Sequence, residues 1–161
     1  MHPRYYLAIL ALSISGAPAL GQSPAACGAR NVPVSSAFAG WTAPAPLGKA
    51  PLEISRSVRV PMTRGVHFKT TTSTSIEPDR YGTTVSLQIR AVGDYDVALS
   101  EAAWLDVVKN GVALPSTAHR HGPACSTMRK IVTFHLTPGV YSLQIGGSAT
   151  PGTTVEVVKS R

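Results

Sequence analysis

Residues 99–114 read LSEAAWLDVVKNGVAL, and the fold class turns on whether this stretch is a helix or a hairpin. Its first ten residues are the one candidate amphipathic helix in the chain. Two features weigh against that reading. The β-branched pair Val107-Val108 suits an extended backbone. Asn110-Gly111 is the strongest short-range hairpin signal, because the tight turn that joins two strands needs positive φ at both central positions. The stretch is therefore predicted as two strands joined by a two-residue turn.

Working outward, the same period-two rhythm recurs. Downstream, KIVTFHL (130–136) sets Val132, Phe134 and Leu136 on one face, and VYSLQI (140–145) does so with Tyr141, Leu143 and Ile145 after the Pro138-Gly139 turn. TTVEVVK (153–159) closes the pattern. Upstream, YDVALS aligns Tyr95, Val97 and Leu99, and TTVSLQIRAV aligns Val85, Leu87, Ile89 and Ala91. The runs Leu52–Val60 and VHFKTTT (66–72) are also read as strands. About eight short strands separated by Gly, Pro and Asn turns predict an all-β protein. The architecture expected is an antiparallel, jelly-roll-like β-sandwich.

The amino terminus reads differently. A short basic start with His2 and Arg4 leads into the apolar run Leu7–Ile14, and small residues before Gln22 fit a cleavage rule. Residues 1–21 are expected to be a signal peptide. The apolar run falls short of the roughly 20 residues that a spanning helix needs, and no later stretch is long or apolar enough to span a bilayer. The mature chain is expected in the periplasm or outside the cell. Residues 22–51, rich in Ala and Pro, are read as an extended arm that Cys27, Phe38 and Trp41 tie down across a sandwich domain of 52–161. Cys27 and Cys125 are the only two cysteines. In an oxidising compartment they are expected to form one disulfide. It would close a loop of about 98 residues, worth up to ~4.7 kcal/mol on the chain-entropy model.

The chain carries 15 Lys and Arg against 8 Asp and Glu, a net charge of +7. The cations are scattered rather than clustered among aromatics, which argues against specific nucleic-acid binding and for general surface basicity that favours anionic envelope surfaces. The sequence holds no G-x-G-x-x-G, Walker, C-x-x-C or H-E-x-x-H motif.

Chemistry-bearing residues gather in STAHRHGPACSTMRK (116–130). On extended chain His119 and His121 point to one side and could hold Cu, Zn or Fe, with Asp106, Met128 or His135 as a further donor. The alternative is a turn at Gly122-Pro123, with both rings bonded to backbone or solvent. Ser116, His119 and Asp106 are residue types for a hydrolytic triad, but no nucleophile elbow accompanies them. Arg129 and Lys130 could pin an anion. Trp104 and Asp106 share one strand face. If Ala103, Leu105 and Val107 are core, Trp104 and Asp106 point out beside the histidine loop, and Trp104, Asp106, His119, His121 and Arg129 form a ligand-binding patch. If Trp104 is core, Asp106 is buried and paired with Arg129 or a histidine.

The G-x-Y-x-V-x-L, A-W-L-D-V-V, G-x-A-L-P-S-T-A-H-x-H-G-P-A-C, R-K-x-V-x-F and G-x-Y-x-L-Q-I segments of residues 93–145 resemble a family of small exported bacterial proteins, many of which carry the label homogentisate 1,2-dioxygenase. The amino-terminal AGWTAPAPL, with Cys27, is similar to the arm of that family. The label implies iron held by two His and one Glu in a much longer chain. Here the Glu nearest to His119 and His121 in sequence is Glu101. The strand rhythm also resembles the jelly-roll-type accessory domains of secreted peptidases. Two functional expectations follow. The first is a non-enzymatic protein that binds an envelope component or a protein partner through loop 116–130. The second is a metal-binding protein or metal-dependent oxidoreductase centred on His119 and His121.

Overall fold

The structure is a computed structural model that describes residues 35–70 and 79–160. The signal peptide expected at 1–21 and the arm residues up to 34, including Cys27, lie outside the described residues. Residues 99–114 form a hairpin. Strand β6 (Trp104–Lys109) and strand β7 (Val112–Leu114) pair in antiparallel register, Val107 opposite Leu114. Asn110 and Gly111 both take positive φ, 52° and 78°, as the tight turn requires.

The remaining strands are β1 (Ala45–Pro46), β2 (Val58–Pro61), β3 (Thr63–Arg64), β4 (Tyr81–Ile89), β5 (Gly93–Leu99), β8 (Ala118–Arg120), β9 (Lys130–Leu136), β10 (Gly139–Ser148) and β11 (Gly152–Lys159). They build two sheets, ordered β1-β2-β11-β5-β9-β8 and β3-β4-β10-β6-β7. Every pairing is antiparallel except β1 with β2. The links β4–β5, β5–β6, β7–β8, β9–β10 and β10–β11 each cross from one sheet to the other. The protein is an all-β sandwich.

The described strands number eleven rather than about eight. The additions β1, β3 and β8 have two or three residues, too short to show a period. The run expected over Leu52–Val60 is strand only from Val58. Leu52 makes an isolated bridge to Leu87. Residues 66–70 are irregular rather than strand, and 71–72 lie outside the described residues.

The core follows the period-two reading. Val85, Leu87 and Ile89 of β4, Leu105 and Val107 of β6 and Leu143 and Ile145 of β10 face Val97 and Leu99 of β5, Val132 and Phe134 of β9 and Val155 and Val157 of β11. Burial of such side chains contributes about 25 cal/mol per Å² of apolar area. A second cluster lies on the opposite face of the first sheet. Ala98, Ile131 and Val158 alternate with the core residues of β5, β9 and β11, and Phe38, Trp41 and Met128 cover them. The described part of the arm thus packs on the sandwich, and Trp41 Nε1 donates to Thr127 Oγ1 at 2.9 Å. Among the described residues, no helix is long and apolar enough to cross a membrane.

Candidate functional site

Strand β6 settles which way Trp104 and Asp106 point. Ala103, Leu105 and Val107 belong to the core, so Trp104 and Asp106 lie on the other face. Their fates differ: Trp104 is 40% exposed, whereas Asp106 is 2% exposed. The indole Nε1 donates to Asp106 Oδ2 at 3.0 Å, a contact that strand geometry allows between residues two apart. The carboxylate therefore braces the ring.

Lys130 approaches from the other sheet. It opens β9 on the same face as Val132, Phe134 and Leu136, so its stem runs over the core edge. The ammonium donates to Ala103 O at 3.1 Å and lies 5.4 Å from the Trp104 ring centre. Burial lowers the pKa of Lys130, and the Asp106 carboxylate offsets part of that shift. A cation over an indole face is attracted by the ring quadrupole, by about 0.5–1 kcal/mol at exposed sites.

Strand β8 completes the site. His119 stands opposite Val132 in the register, which turns its imidazole towards the cleft rather than the outer face. One cleft of about 510 Å³ has Trp104, Asp106, Ser116, His119 and Lys130 around an apolar floor of Leu114, Val132 and Phe134. A second, of about 320 Å³, is lined by Trp104, His119, Arg120, His121, Arg129 and Lys130 with Ala102 and Ala103. Trp104, His119 and Lys130 are common to both. Four of the five residues expected in a ligand patch thus line the second cleft, and Asp106 lines the first.

The turn after β8 depends on Gly122. A Cβ there would overlap the Met128 carbonyl and Cβ, so only glycine lets the loop close. His121 Nδ1 lies 3.4 Å from Arg129 O, which ties the two limbs of the loop together. Arg120 points to the opposite side and pairs with Asp96 at 2.6 Å, while Thr133 donates to the other Asp96 oxygen, also at 2.6 Å. Burial acts to raise the Asp96 pKa, but these partners outweigh it and hold the carboxyl below its usual range.

Several expected combinations do not assemble. Ser116, His119 and Asp106 line one cleft, yet no hydrogen bond links them, and the carboxylate of Asp106 serves Trp104. His119 and His121 share the second cleft. Among the described residues, no group of three or more His, Cys, Asp or Glu could hold a metal ion. Met128 is buried against the arm, and His135 pairs with Asp94 at 2.8 Å, so neither adds a donor to that pair. Among the described residues, no cysteine is free. Cys27 lies outside them.

Among the described residues, Lys130 rather than Arg129 is a cation that feels the Asp106 carboxylate. Its period-two kinship with Val132 and Phe134 is the signal that would have found it. Searches of family models, of curated proteins and of solved structures match nothing to this chain. The fold and the geometry therefore define the class: an all-β sandwich with a basic, aromatic cleft where β6 of one sheet faces β8 and β9 of the other.

Proposed function

We propose that this is an exported, non-enzymatic binding protein that holds an envelope component or a protein partner in the cleft beside loop 116–130. The observation that carries the reading is the half-exposed Trp104 indole, fixed by a buried carboxylate and flanked by Lys130 and His119. A rigid aromatic with a fixed polar edge gives contact area at low entropic cost, which is how binding hot spots are built. Export by the 1–21 leader and a Cys27–Cys125 bond belong to the same proposal. The bond would tether the arm to the loop that frames the cleft. The resemblance to the exported bacterial family supports the export reading.

The test is retention of the mature protein on isolated cell-envelope fractions, compared with Trp104→Ala and His119→Ala. Loss of retention by about tenfold, equivalent to ~1.4 kcal/mol, with an unchanged unfolding midpoint is expected. Equal retention by all three proteins overturns the reading. Metal analysis of the same preparations distinguishes the metal-centred alternative. A stoichiometric Cu, Zn or Fe content that is lost in a His119→Ala/His121→Ala variant would replace the binding reading.

A further inference from the structure

We propose that the occupant of this cleft is an extended acidic segment of a partner polypeptide, added as a strand alongside β8. The inference rests on the binding reading above and narrows it to one class of ligand.

The first argument is the sheet edge. Among the described residues, strand β8 is the last strand of its sheet, and Ala118, His119 and Arg120 are all exposed. Alternate backbone N–H and C=O groups of an edge strand point away from its neighbour and can template another strand. Strand β8 has only three residues, so backbone pairing fixes orientation while side chains supply most of the affinity.

The second argument is the position of the cleft. His119 faces the cleft, whereas Arg120, which also borders the second volume, sends its guanidinium to Asp96. A strand laid against β8 keeps that alternation. Every second side chain then enters the cleft at Trp104, and the two adjoining volumes of about 510 and 320 Å³ each have room for a large side chain.

The third argument is charge. Asp106 is committed to Trp104, and Asp96 to Arg120 and Thr133. Arg129, His119 and His121 line the second cleft, and among the described residues no carboxylate pairs with any of them. The surplus at the mouth is positive, in a chain of net charge +7. It fits glutamate or aspartate interleaved with apolar residues, and it rejects a basic segment.

The experiment labels both tryptophans with 5-fluorotryptophan, assigns the Trp104 resonance through Trp104→Phe, and titrates the full mature chain. The probes are a synthetic octapeptide alternating glutamate with valine or tyrosine, its lysine-for-glutamate counterpart, and two versions N-methylated on alternate residues in opposite phase. Polygalacturonate is the fifth probe. The acidic peptide is expected to shift Trp104 saturably. One N-methyl phase should weaken binding by about tenfold or more while the other stays within about twofold, because one set of amides faces β8 and the other faces solvent. Arg129→Glu should weaken the parent peptide by a similar factor. Equal binding of both N-methylated phases, equal binding of the lysine peptide, or a Trp104 response to polygalacturonate and not to peptide would each overturn the proposal. So would no response to the peptide. Envelope retention that still depends on Trp104 would leave the broader binding reading standing in all of these cases.

Discussion

Replacing Glu156 by glutamine should stabilise the protein progressively as pH rises. Glu156 sits on β11 opposite Ala98, on the face that the arm covers, and is 1% exposed. A Cβ on Gly40 of the arm would lie 3.2 Å from its Oε1. Neither carboxyl oxygen has a hydrogen bond of standard geometry within the described residues, and no basic side chain pairs with it there. Burial therefore pushes its pKa up, and the Gly40 backbone amide offsets only part of that shift. The sign follows. The folded pKa exceeds the unfolded value, so the contribution of this group is intact below the unfolded pKa, ~4.3 for an ordinary glutamate. It is lost as pH rises through the folded value, at up to ~1.4 kcal/mol per pH unit. Glutamine has no proton to lose. At acid pH the two proteins should differ by about 1 kcal/mol or less, one neutral polar group replacing another. Above the folded pKa the variant should be the more stable, by ~1.4 kcal/mol for each unit by which burial raises the Glu156 pKa. Urea unfolding of both proteins from pH 4 to 9 measures the difference. A difference that is flat with pH, or that moves in favour of the glutamate as pH rises, would refute the reasoning.

Asp96 should act in the opposite sense. Its pKa is lowered, so its contribution is present above the unfolded value and lost as pH falls through the folded one. Asp96→Ala should cost about 1–3 kcal/mol by leaving Thr133 and Arg120 without their acceptor, read as a shift in urea midpoint. Trp41→Ala, which removes the buried indole from the arm's cluster, should cost about 3–5 kcal/mol by the same assay. Trp104→Ala should cost less than Trp41→Ala, because its ring is half exposed and outside the core. Gly122→Ala should cost about 1–3 kcal/mol through the forced clash with Met128, checked by thermal unfolding.

The long strands were legible because one face of each is buried, and burial on one side writes a period of two into the residues. Asn110-Gly111 was legible because few residues tolerate positive φ at consecutive positions. Two- and three-residue edge strands such as β1 and β3 leave no such trace. The covering of the first sheet by the arm was visible only in outline, through Phe38 and Trp41. The doublets Ile131-Val132 and Val157-Val158 record it, since a strand buried on both faces loses its alternation. At the site, the sequence placed Trp104 and Asp106 on one face but could not say which face was core. Nor could it show that an outward carboxylate would be buried and bonded to its own neighbour's indole. That depends on a side-chain hydrogen bond and on Lys130 arriving from another sheet. The pairing of β6 with β10 and of β5 with β9 fixes that approach, and pairing across such sequence distances leaves no local signal.

Collisional quenching of tryptophan emission by iodide and by caesium at matched ionic strength tests the basic, aromatic cleft most directly. Trp41 is 4% exposed and Trp104 is 40% exposed, so the accessible emission belongs to Trp104, and the surrounding cations should concentrate an anion there. Strong quenching by iodide, little by caesium and loss of the quenchable component in Trp104→Phe are the predicted result. Caesium quenching that equals or exceeds iodide quenching would contradict it.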